Sequence, residues 1–151
     1  MPKSELRVAL RGALVSLIII TSASAQSWQQ TLTGGTTTPH DHFGTSLAAY
    51  EGELFVGTPR DDTTGTIRSS GSVTVFSESA GAWSESGLLL SPSRVMDGCF
   101  GASLSLDGAR LLVGAPGEDS LAAPATGAVH LYERAGASWS LVGSLQTANL
   151  A

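Results

Sequence analysis

An all-β fold made of two copies of one four-stranded antiparallel unit is predicted by three observations. The run Phe-Gly-x-Ser-Leu stands at Phe43–Leu47 and again at Phe100–Leu104, 57 positions on. The three tryptophans, Trp28, Trp83 and Trp139, are spaced by 55 and 56 positions, the same period. Between these anchors lie short apolar runs bounded by Gly-containing turns, and no stretch after residue 25 carries a helical apolar period.

Residues 1–25 read as a secretory leader. Lys3, Arg7 and Arg11 make a basic start, Ala13–Ile20 is apolar, and Ala23-Ser24-Ala25 offers a cleavage site before Gln26. The apolar part is too short for a permanent membrane anchor. No cysteine adjoins the site for a lipid. The chain is therefore expected to be exported: secreted, periplasmic or on the cell surface, with no membrane contact after cleavage.

Residues 26–42 hold an extra strand of the fourth type, Trp28–Leu32, and a linker. The first unit, 43–90, carries strands at 45–50, 53–57, 72–77 and 83–90. The turn at Glu51-Gly52 makes the first two a hairpin. Along the third strand Val73 and Val75 share one face, and Thr74 and Phe76 the other. A second linker covers 91–99. The second unit, 100–145, repeats the strands at 102–106, 110–114, 128–133 and 139–145, with its hairpin turn at Asp107-Gly108. Residues 146–151 start another linker. The segments 58–70 and 115–126, rich in Gly, Ser, Thr and Asp, are long surface loops.

One four-stranded sheet cannot bury both of its faces. Radial stacking of such sheets as blades solves this, and gives a β-propeller. The sequence supplies two blades plus one extra N-terminal outer strand, an incomplete propeller. Its expected sheet faces and edges stay open, which invites self-association to complete a ring. The alternative expectation is a truncated propeller fragment without independent function.

The anchors also carry a resemblance. Phe43-Gly44 and Phe100-Gly101, Val56-Gly57-Thr58-Pro59 and Val113-Gly114-Ala115-Pro116, followed by Trp83 and Trp139, resemble FG-GAP repeats. Such repeats build the propeller of integrin alpha chains, and the likeness is closest to the secreted bacterial type. It implies scaffold roles: Phe43 and Phe100 pack between blades, Gly44 and Gly101 allow close backbone approach, Gly57, Pro59, Gly114 and Pro116 end the second strand, and Trp83 and Trp139 pack the outer strand. Thr58 departs mildly from the pattern. So do the turns at 49–53 and 105–109, which have too few oxygen ligands for the calcium site of integrin-type repeats.

Charge and motifs exclude several functions. After residue 25 there are five arginines, no lysine and twelve acids, a net of −7. A phosphate backbone is repelled by such a surface, so no nucleic acid partner is expected. Cys99 is the single cysteine, so no internal disulfide forms. His40-Asp41-His42 has metal-ligand chemistry, but His40 and His42 share repeat positions with Asp97 and Cys99, and read as turn residues. His130 alternates on a strand where Thr74 is its counterpart, and reads as a polar sheet-face residue. Arg60-Asp61-Asp62 and Gly117-Glu118-Asp119-Ser120 are solvated acidic loops, with weak calcium binding the most they offer. No nucleophile elbow, phosphate loop or zinc motif occurs. A hydrolase is the least supported reading. The expectation is a non-catalytic exported module, adhesion-like or structural, with a protein or glycan ligand, no cofactor and no catalytic or metal-site residue.

Overall fold

Short apolar runs on either side of a tight turn fold here as antiparallel hairpins, and two hairpins make each sheet. The structure is a computed structural model describing residues 30–62, 67–118 and 126–146. The leader, Trp28, Asp119-Ser120 and the stretch from 147 lie outside the described residues. The first sheet contains β1 (Ser46–Tyr50), β2 (Glu53–Thr58), β3 (Ser72–Ser79) and β4 (Ala82–Leu90). The second contains β5 (Ser103–Asp107), β6 (Arg110–Ala115), β7 (Ala128–Ala135) and β8 (Ser138–Gln146). Each sheet has its strands in sequence order, every pair antiparallel. The fold is all-β, as the sequence predicts, and each strand lies within two residues of its expected limits. Among the described residues no helix is long and apolar enough to cross a membrane.

The repetition reaches the backbone. The register shifts at Val75/Phe76 in the first sheet and at Leu131/Tyr132 in the second, the same repeat position. Gly44 N–H donates to the Gly57 carbonyl, as Gly101 N–H does to Gly114. Gly71 N–H closes the first long loop on the Asp61 carbonyl, and Gly127 N–H closes the second on Glu118. The left-handed φ of His40 and His42 recurs at Asp97 and Cys99.

One face of the first sheet packs on one face of the second, and the core lies between them. Phe55, Val73 and Val75 point from the first sheet, Leu111, Val113 and Tyr132 from the second, and Phe100 sits among them with no exposure. Trp139 of β8 meets Phe55 edge-on, with centroids 5.0 Å apart, and its indole N–H donates to Glu53 at 3.3 Å. Tyr132 donates to the Leu90 carbonyl at 3.0 Å.

Backbone contact at this junction is close. Gly71 and Phe100 form a parallel bridge. Ser46 Oγ donates to the Gly101 carbonyl at 2.6 Å. A Cβ on Gly57 would collide with that same carbonyl oxygen, so only glycine lets the two segments meet. The expected strand at Trp28–Leu32 needs correction in its described part, since residues 30–34 are not in a strand. Gln30 instead uses its side-chain amide to bind both backbone groups of Trp83 at 2.9 Å. The physical reason is that β4 is the edge of its sheet, so the outward N–H and C=O of Trp83 have no strand partner, and the Gln30 amide satisfies both in place of a paired strand.

Candidate functional site

Two places gather polar chemistry: a cleft at the linker end of the sheets, and a sealed cluster between them. The cleft holds about 460 Å³ and is lined by the linkers 38–41 and 97–99 with the first long loop. His40, Arg60, Asp62, Arg68, Asp97 and Cys99 face it. Sequence separation hid this convergence, because 57 residues part His40 from Asp97. The repeat brings them together, since consecutive linkers stack side by side.

Each cleft residue has a local reason for its pose. Asp41 is buried and accepts from the Thr38 N–H and hydroxyl, which caps the turn that carries His40. Arg60 N–H donates to the Asp41 carbonyl, tying the loop to the linker. Arg68 forms an exposed ion pair with Asp97 at 2.8 Å, worth about 0.5 kcal/mol at such exposure. Burial pushes the Cys99 thiol up, the Asp97 charge adds to this, and Arg60 opposes it. The thiol thus stays protonated at neutral pH and is a poor nucleophile. His40 and His42 take left-handed φ values of 79° and 62°, so they act as turn residues. Among the described residues no group of three or more His, Cys, Asp or Glu side chains is placed to hold a metal ion.

The sealed cluster joins three segments. Glu118, from the start of the second long loop, and His130, from β7, are both fully buried. Their contact is 3.0 Å, from His130 Nε2 to a Glu118 carboxylate oxygen. Ser91, in the linker after β4, donates to the other oxygen. Burial by itself pushes the Glu118 carboxyl up; hydrogen bonds from His130 and Ser91 outweigh it and hold the group below its ordinary value. An ionised carboxylate only accepts, so Nε2 carries a proton toward it, and Nδ1 lies 2.7 Å from the Ser144 hydroxyl. Phe100 lies 5.5 Å from the imidazole, ring centre to ring centre. Burial, then the Glu118 charge, pushes the neighbouring Tyr132 phenol up to about 12.

His130 is a polar residue on a sheet face, as its alternation predicts, and the facing sheet and Phe100 bury it. The reading of the two acidic loops needs correction. Glu118 and its repeat counterpart Asp61 are not solvated loop acids, since both are buried. Asp61 accepts from Ser72 as Glu118 accepts from Ser91. One signal was available: both repeats place an acid two residues after the proline, at Pro59-Arg60-Asp61 and Pro116-Gly117-Glu118.

The expected scaffold positions fall as follows. Phe100, Gly101 and Trp139 lie at the junction of the two sheets. Phe43 is half-buried against Phe76, 6.2 Å away, and Gly44 is exposed. Gly57 is under Gly101, while Gly114 and Pro116 line an open, mostly apolar cleft of about 640 Å³ on the far face of the second sheet. Trp83 holds Gln30, and Pro59 is buried at the end of β2. No family model and no curated protein matches the chain.

Proposed function

We propose that the chain is a non-catalytic, exported binding module of the β-propeller type, built from FG-GAP-like blades. The seating of Phe100-Gly101 on Gly57 and Gly71 supports this most. It is a blade-to-blade contact made from motif residues, with their repeat partners ready to make it again. Consecutive linkers then form a ligand surface at one end, the cleft of Arg60, Arg68, Asp62 and Asp97. Two guanidiniums beside two carboxylates suit a polar, hydrogen-bonding ligand such as a glycan or a protein loop.

Ser144, His130 and Glu118 have the hydrogen-bond order of a nucleophile, base and acid. Ser144 lines neither cleft, however, and the imidazole is sealed. The network therefore serves cohesion. The test is a glycan and protein array probed with folded chain. Binding lost in Arg60→Ala and Arg68→Ala supports the reading, and a folded sample that binds nothing overturns it. Labelling of Ser144 by a fluorophosphonate would overturn its non-catalytic part.

A further inference from the structure

We propose that the open face of the second sheet docks the Phe43-Gly44 end of a second copy of this chain. The contact repeats, between molecules, the one that joins the two sheets within a molecule. The inference rests on the blade-stacking part of the proposed function and is independent of any ligand in the polar cleft.

The first sheet shows what a filled seat looks like. Phe100-Gly101 lies on it against Gly57, Gly71 and Ser72. In repeat register these positions on the second sheet are Gly114, Gly127 and Ala128, and they line the open cleft of about 640 Å³. Val73 under the filled seat has no exposure, while its counterpart Val129 is 37% exposed. Leu145, the counterpart of half-buried Leu89, is 70% exposed.

The incoming backbone is also present, with Gly44 exposed. Gly44 has φ 89°, against 86° for Gly101, and makes the same hydrogen bond to the end of its own β2 or β6 counterpart. A Cβ on Gly101 would strike the Ser72 carbonyl, whereas one on Gly44 would meet nothing within 4 Å. Leu47 beside it is 62% exposed, although its counterpart Leu104 packs on the core.

Charge selects the partner. Within the chain, Arg134 of the second sheet reaches Glu51 and Glu53 of the first, each at 3.5 Å. The repeat counterpart of Arg134 is Glu78, and that of Glu53 is Arg110. A second copy docked the same way brings its Glu78 to Arg110, whose exposed pair with Glu133 at 2.9 Å it joins, with the signs exchanged. Trp83 of the second copy likewise comes to Arg110 and Leu112, as Trp139 comes to Glu53 and Phe55. The two faces thus complement each other and not themselves, which makes the contact head-to-tail. Gly34 lies against Phe43 and Thr74 on that face of the first sheet, so docking displaces the segment that Gln30 clasps to Trp83.

The test is the mass of the full chain, expressed with its leader and purified in the exported form, by light scattering up to about 100 µM, where an interface of ordinary size is occupied. Assembly is expected in the wild type and its loss in Gly114→Ala, whose methyl meets only the movable Ser103 hydroxyl in the free chain. Glu78→Arg is expected to weaken assembly about tenfold or more, and Glu78→Arg with Arg110→Glu to restore it. Circular dichroism confirms that each variant keeps its strands. A wild type that stays monomeric overturns the proposal and leaves the face to a different partner. Assembly unaffected by Gly114→Ala, or a charge exchange that fails to restore it, overturns it as well.

Discussion

At the scale of single residues, the buried polar groups decide most. Thr58 is fully buried and its hydroxyl has no hydrogen-bond partner. The second repeat has Ala115 there, so the scaffold does not need the oxygen. Thr58→Val keeps the shape and removes an unsatisfied group, and is expected to raise stability by about 1 kcal/mol in a thermal melt. Glu118 makes an opposite case. Its carboxyl is held below the ordinary 4.5, so the ionised form favours the folded state. The stability it contributes is complete above pH 4.5 and is lost as pH falls through the lower, folded value. Glu118→Gln is expected to lower the melting temperature at neutral pH and to flatten its fall toward about pH 3. A variant that falls as steeply as the wild type would assign the acid sensitivity elsewhere. The acid two residues after each proline marked Asp61 and Glu118 as a repeated pair, but neither their burial nor that of His130 was legible. Alternation says which residues share a face, but burial depends on the sheet packed against that face. His130 and its counterpart Thr74 read alike as polar positions on a strand.

At the scale of elements, the strands were legible and their close approach was not. Period-two alternation with Gly turns locates all eight strands, because a slip of one residue would turn each apolar set to the wrong face. The register shift after Val75 and Leu131 escaped, since a bulge leaves the apolar pattern nearly intact. The motif glycines were legible as repeat positions, yet equal in rank. The structure separates them. A methyl on Gly57 collides with the Gly101 carbonyl, a backbone atom fixed by its own hydrogen bonds. A methyl on Gly114 meets the Ser103 hydroxyl, which can rotate away. Gly57→Ala is therefore expected to cost about 2–3 kcal/mol, as overpacking does, and Gly114→Ala less than about 0.5 kcal/mol in the monomer. Chemical denaturation of both variants checks this. Equal costs would mean that the junction yields more easily than its backbone contacts imply.

At the scale of the whole molecule, the two sheets depend on one core. Its members come from facing sides, Phe55, Val73 and Val75 from one sheet and Leu111, Val113 and Tyr132 from the other, with Phe100 between. Separation of the sheets would expose this whole layer and strand the His130–Glu118 contact in water. Neither sheet has a second core of comparable size among the described residues. The chain is thus expected to unfold in one transition, with circular dichroism and tryptophan fluorescence coincident. The repeat allows a comparison of the same residue type in two settings. Phe100→Ala empties a site with no exposure and is expected to cost about 3–5 kcal/mol. Phe43→Ala removes a half-buried ring that meets Phe76 at the open end, and about 1–2 kcal/mol is expected. Because Phe100 joins both sheets, its loss should lower both signals together. A melt in which Phe100→Ala splits the two signals would show that each sheet holds itself, and that the junction serves docking more than folding.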